Sequence, residues 1–367
     1  MRSRAVLLLL FASLVPVAFA QLENADPETQ ARCKRAMSVH LPSEAAEIAM
    51  PSKWPECNSY KLYSGLGTTV DIVAARRCAW KERLAQEAGI EPRFTVASVF
   101  GGSAMLSVLY ANGQGVQRDQ ALAIRFACEA GGAPGEIGGR IQHLEKLEKP
   151  SSPTGNTFDF CDDITSGFME GFCAARASEL QDQRREDSIR SITDPFTADQ
   201  KTAFGNLRRA EETYAESHGR GEIDLSGSAR AMFQIDAEDS LRDDFIEAVT
   251  YFESGNIPGG DAASYREADS KLNIVYRRVM AKTEQHKSEY GAVQPEGIRA
   301  AERAWLKYRD AWLVFAKVRY PNVPPEAWLT LLTRDRISVL DGSFCDMDAE
   351  DGPCASHGDT WKPSPLP

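Results

Sequence analysis

Apolar side chains recur at spacings of three and four residues along most of this chain. The pattern is clearest over 296–319, where Ile298, Ala301, Trp305, Tyr308, Trp312 and Phe315 fall on one face of a long amphipathic helix. Pro295 and Pro321 bracket it, one suited to a helix start and the other to the stretch after its end. The same period predicts a helix over 199–217 from Ala203, Leu207, Ala210 and Tyr214, and another from Leu241, Phe245, Val249 and Phe252. A further helix over 263–289 carries Leu272, Val275, Tyr276 and Val279. No strand-like alternation of useful length occurs, so the expected fold is all-α. Residues 210–214 resemble residues 301–305, 91 positions on, and Leu180 precedes Leu272 by 92, which points to a tandem duplication of a helical hairpin.

The first half reads as shorter helices joined by sharp turns. Around Tyr63 and again around Tyr110 an apolar stretch ends in Leu-Tyr. Two glycines follow (Gly65 and Gly67; Gly113 and Gly115), then an aspartate (Asp71; Asp119) and, four residues on, an alanine (Ala75; Ala123). Glycine permits the turn, aspartate caps the next helix, and alanine allows two helices to cross closely. The second copy, with Tyr110, Gly113-Gln114-Gly115-Val116, Asp119, Ala123 and Phe126, resembles the Sel-like repeat, a relative of the tetratricopeptide repeat. The resemblance implies short helix-turn-helix units that act as a protein-contact surface. Lys149 to Thr157 contains two prolines, a glycine and four hydroxyl residues and reads as a linker. The expected division is therefore a leader at 1–20, a repeat region at 21–148, a linker at 149–157, a helical hairpin or bundle domain at 158–344 and a tail at 345–367.

The first twenty residues change the picture of where the protein works. Arg2 and Arg4 precede an apolar run over 5–17, too short to span a bilayer, and Ala18-Phe19-Ala20 follows. That is the pattern of a secretory signal peptide cleaved after Ala20. The expectation is a bacterial periplasmic or secreted protein with no transmembrane segment. All eight cysteines, at 33, 57, 78, 128, 161, 173, 345 and 354, lie beyond that point, and an even number in an exported chain reads as disulfides. Local pairs are expected: Cys57 with Cys78, Cys161 with Cys173, and Cys345 with Cys354. One unbroken helix would hold Cys161 about 18 Å from Cys173, so their bond requires a helix that starts after Cys161.

Three fragments in the second half resemble the family named for the LprI lysozyme inhibitor. The first is Cys161-Asp162-Asp163-Ile164-Thr165, continuing to Glu170 and Cys173. The second is Ala268-Asp269 with Leu272, Asn273 and Tyr276. The third runs from Ala300 through Glu302, Trp305 and Tyr308 to Arg309-Asp310-Ala311, and a closing Arg-x-x-x-Leu is present as Arg336 and Leu340. This sequence departs from the family pattern in three ways. Glu302 stands where the family has Gln, Trp312 and Leu313 stand where a Cys often follows, and some 90 residues separate the first two fragments. The resemblance implies a secreted helical domain that binds a protein, with lysozyme as the namesake's partner. Asp269, Leu272, Asn273, Tyr276, Trp305, Tyr308, Arg309 and Asp310 are the motif residues, in structural or binding roles. Read without the family, Trp305, Tyr308 and Trp312 are core residues, and Asp269 with Arg309 is a candidate ion pair clipping two helices together.

The formal charge of −11 becomes −13 once Arg2 and Arg4 are removed, which argues against a nucleic-acid partner and fits a basic protein or plain solubility. No GxSxG, HExxH, Walker or complete GxGxxG motif occurs. The five histidines are scattered and are expected at the surface. The acidic run from Asp346 to Gly352 lacks the glycine and glutamate placement of a calcium loop and is expected to be a solvated loop closed by Cys345 and Cys354. The sequence thus carries no catalytic, cofactor or metal constellation, and the expectation is not an enzyme. Three functions stand: a lysozyme inhibitor, an envelope interaction scaffold using the repeats, and a hydrolase with an unrecognised carboxylate pair.

Overall fold

The computed structural model of the chain describes residues 22–90, 95–147, 157–289 and 291–344. The leader, most of the linker and the tail with Cys345 and Cys354 lie outside the described residues. Within them the chain is helical, with no strand. It divides into two compact units, Met1–Ser166 and Gly167–Pro367. Residues 158–166, which the sequence puts with the second domain, pack in the first. Phe158 and Phe160 are buried there, and Asn112 bonds both main-chain groups of Phe158 at 2.8 Å.

The first unit consists of α1 (Pro27–Ala36), α2 (Ser43–Ala46), α3 (Ser59–Ser64), α4 (Ile72–Glu87), α5 (Val96–Val99), α6 (Gly102–Asn112), α7 (Gln120–Ala130) and α8 (Pro134–Leu147). Its α3–α4 and α6–α7 turns are built alike. Gly65 and Gly113 end the first helix of each pair in the left-handed conformation, with φ of 77° and 65°. Asp71 and Asp119 then cap the second helix, accepting from the Ala74 and Leu122 amides. The Asp71 amide donates to the Leu62 carbonyl and the Asp119 amide to that of Tyr110, so Leu62 is the counterpart of Tyr110. The register therefore differs by one residue from the Leu-Tyr alignment read in the sequence. Ala75 and Ala123 are fully buried, as the close crossing requires. Glu82 ties three elements together, accepting from the Ser59 amide and hydroxyl and from the Gly102 amide.

Cys57 pairs with Cys78 as expected, and Cys33 pairs with Cys128 across 95 residues, joining α1 to α7. Cys161 and Cys173 are each disulfide-bonded as well. The next helix begins at Gly167, beyond Cys161.

The second unit contains α9 (Gly167–Thr193), α10 (Ala198–Gly221), α11 (Arg230–Glu253), α12 (Ala262–His286), α13 (Pro295–Arg319) and α14 (Pro325–Phe344). Helices α10 and α13 are its antiparallel spine. Phe204 packs on Phe315 at 5.4 Å, Tyr214 stacks on Tyr308 at 5.6 Å, and Gly221 crosses Gly297. Helix α9 packs on α11 as α12 packs on α14, and α11 and α14 each lean on the spine helix that precedes them. The likeness of 210–214 to 301–305 thus belongs to a repeated set of three helices, larger than a hairpin. Trp312 stacks on Trp328 at 5.6 Å within an aromatic core.

Candidate functional site

The guanidinium of Arg336 on α14 is buried inside the second unit, the residue being 1% exposed. An isolated buried charge costs several kcal/mol, so its neighbours must neutralise it. Its two terminal nitrogens donate to both Glu222 oxygens at 2.8 and 2.6 Å, and its Nε donates to Glu302 at 3.0 Å. One of them also donates to the Tyr214 hydroxyl at 3.1 Å. His218 Nδ1 lies 2.8 Å from the remaining face of Glu222. The network joins α10, α13 and α14 at the end of α10, where Glu222 is the C-cap. Burial alone would raise the Glu222 carboxyl, but Arg336 and His218 outweigh it and hold it at about 2. Glu302, which replaces the family's Gln, supplies the second carboxylate that this arginine needs.

The sequence put His218 at the surface, and the structure corrects this: it is 5% exposed, because the aromatic spine buries that face of α10. His143 is half-buried against Phe158 and Asp163, His286 is also of intermediate burial, and His40 is exposed.

The family-motif residues do not converge on one site. Leu272 and Trp305 are buried in the core, and Tyr276 and Tyr308 pack against it. The proposed clip between Asp269 and Arg309 does not form. Asp269 accepts from Asn273 one turn on, while Arg309 stacks over Trp305 and bonds the exposed Asp310. The i to i+4 and neighbouring partners satisfy both charges locally, so no helix-to-helix pair is needed. The reading of Trp305, Tyr308 and Trp312 as core side chains holds: Trp305 and Trp312 are 2% and 1% exposed.

Beside Arg336 lies a cavity of about 60 Å³ between α10, α11, α13 and α14. Its walls are largely aromatic, with Tyr214, Phe245, Trp305, Tyr308 and Trp312 among them. Three carboxylates also line it: Glu211, Asp244 and Asp335. Glu211 is 4% exposed and its Oε1 has no hydrogen-bond partner, while Asp244 and Asp335 are half-buried. Burial pushes Glu211 up to about 8, and burial with the nearby Asp244 raises Asp335 to about 7. Asp244 itself is raised to about 6 by burial and by Glu247 and Asp243. None of these acids was singled out from the sequence. The available signal was a charge standing on an apolar stripe, as Glu211 does between Leu207 and Tyr214, and Arg336 does between Leu332 and Leu340. Glu222 falls in a Gly- and Ser-containing connection that had no assigned role.

Among the described residues no group of three His, Cys, Asp or Glu is placed to hold a metal, and no helix is long and apolar enough to cross a membrane. Fold and site together define a disulfide-bearing, all-helical protein whose second unit is built around a neutralised arginine and an acidic, aromatic cavity. Residues 262–340 match the family model described as lysozyme inhibitor LprI. The match covers α12, α13 and most of α14, and so includes the two inner motif fragments and Arg336 but not the cysteine fragment at 161–173. The chain matches no curated protein and no solved structure. Disulfides together with a match to that family fit an extracytoplasmic chain, and the matched family model is described as one of lysozyme inhibitors.

Proposed function

We propose that the protein is exported, released after Ala20 into the periplasm or medium, and there binds and inhibits a lysozyme through its second unit. The match of residues 262–340 to the LprI family carries this reading. Charge supports it: lysozymes of the basic type would be steered toward a chain with 53 acidic and 42 basic side chains. The test is lysis of a cell-wall suspension by lysozyme in the presence of the mature chain. Inhibition should saturate near one protein per enzyme and weaken with salt. Full lysis under excess protein at low salt would overturn the proposal.

A second reading rests on the matched α3–α4 and α6–α7 turns of the first unit, which present a two-layer helical stack of the kind used for peptide and protein contacts. In that case partner capture depends on residues 21–148 and survives charge substitutions in the second unit.

A further inference from the structure

The acidic cavity has chemistry that the lysozyme reading does not use. Glu211 is nine-tenths buried on α10, its Oε1 lacks a partner, and it lines an aromatic space. An orphaned buried carboxylate costs free energy unless water, a proton or a cation satisfies it. Asp335 and Asp244, half-exposed and with no hydrogen bond among the described residues, add two more carboxylates to the wall. The one cation in the lining, Arg336, is already saturated by Glu222 and Glu302 and so is not the counter-ion. Arg242, Arg208 and Arg185 act on Glu211 only at a distance, being bonded to Glu238 and Asp239, to Glu186, and to Asp182, Asp239 and Asp243.

The kind of cation that such a site would take follows from its walls. No three of these acids are placed to ligate a metal. The charge is spread instead over a space faced by Trp305, Tyr308 and Trp312, and aromatic faces attract organic cations. A cavity of about 60 Å³ admits a compact cationic head group. We propose that this cavity is a receptor for a primary ammonium group, with Glu211 at its floor and Asp244 and Asp335 at its mouth. The ammonium comes either from a free alkylamine or from a lysine side chain presented by a partner protein.

Because burial holds these acids partly protonated, an entering ammonium displaces protons, and affinity rises with pH. The groups that set this response are Arg185 on α9, Arg208, Glu212 and Tyr214 on α10, Asp243, Glu247 and Arg242 on α11, Tyr308 on α13, and Arg336 on α14. Titration of the full-length mature chain with methylammonium, and separately with a blocked Gly-Lys-Gly peptide, is read by tryptophan fluorescence and calorimetry. Saturable binding is expected, about tenfold weaker in Glu211→Gln and in Asp335→Asn, and stronger at about pH 8.5 than at about pH 6. A norleucine peptide should not bind. Binding of methylammonium alone identifies a small-amine site, and binding of both probes identifies a lysine acceptor. Absence of a saturable signal in the wild-type chain overturns the proposal, as does equal binding of the norleucine peptide or of Asp335→Asn. None of these outcomes depends on lysozyme, so failure of the inhibition assay leaves this test intact.

Discussion

Arg336 and Glu222 show how a single pair of side chains sets the terms for a whole unit. Both are fully buried, and three further groups complete their hydrogen bonds. Removal of one partner leaves the other charged and unpaired, so Glu222→Leu should cost about 3–5 kcal/mol in the second unit. The double variant Glu222→Leu/Arg336→Met should recover a large part of that loss. Urea midpoints of the three proteins check this, and a double variant no better than the single one contradicts it. The pH response follows from the same residues. Glu222 is depressed from an ordinary 4.5 to about 2, so its stabilisation is complete above 4.5 and is lost as pH falls toward 2. Glu211, Asp335 and Asp244 are raised to about 8, 7 and 6. The folded state then keeps protons that the unfolded chain has released, and stability falls as pH rises from about 4 toward 8. Melting temperature should therefore peak at about pH 4, and Glu211→Gln should flatten the alkaline limb. A maximum at pH 8 in the wild-type chain would contradict these shifts.

At the scale of elements, the helices themselves were legible. The three-and-four spacing placed helices at 199–217, 263–289 and 296–319, and the structure has them as α10, α12 and α13 with ends shifted by a few residues. Helix ends depend on caps. Thr197, which caps α10 through a reciprocal capping box, lies just outside the apolar period that located the helix. How the spine helices meet was not legible, because glycines that permit a close crossing look like any others in a sequence. A Cβ on Gly297 would lie 2.5 Å from the Gly221 carbonyl oxygen, and one on Gly221 would lie 2.7 Å from that of Gly297. Gly297→Ala should force α10 and α13 apart at about 1–3 kcal/mol. Gly205, on α10 with only the end of the Arg209 side chain near it, is the control. Gly205→Ala should stabilise by about 0.5–1 kcal/mol through helix propensity. Thermal melts that move both variants in one direction would show that backbone contact at 221 and 297 is not limiting.

At the scale of the whole molecule, two units with separate cores should respond separately. The bond between Cys33 and Cys128 closes 95 residues of the first unit. Loop entropy assigns a closure of that length about 4–5 kcal/mol. Cys33→Ser/Cys128→Ser should lower the first denaturation transition by an amount of that order and leave the second unit's midpoint where it was. Equal shifts in both transitions would mean that the units unfold together.

The sequence by itself determined what local rules determine. Apolar period 3.6 specified helices, glycine and aspartate at fixed offsets specified the two sharp turns, and the charge balance argued against a nucleic-acid partner. It also located the LprI-like motifs, since those are short and contiguous. Only the tertiary structure decided which charges are buried and who satisfies them. Arg336 and Glu222 are 114 residues apart, Glu211 and Asp335 come from different helices, and Cys33 finds Cys128 across most of a unit. Such pairings depend on how helices pack, and a one-dimensional pattern records only that a residue sits on an apolar face, not what stands opposite it.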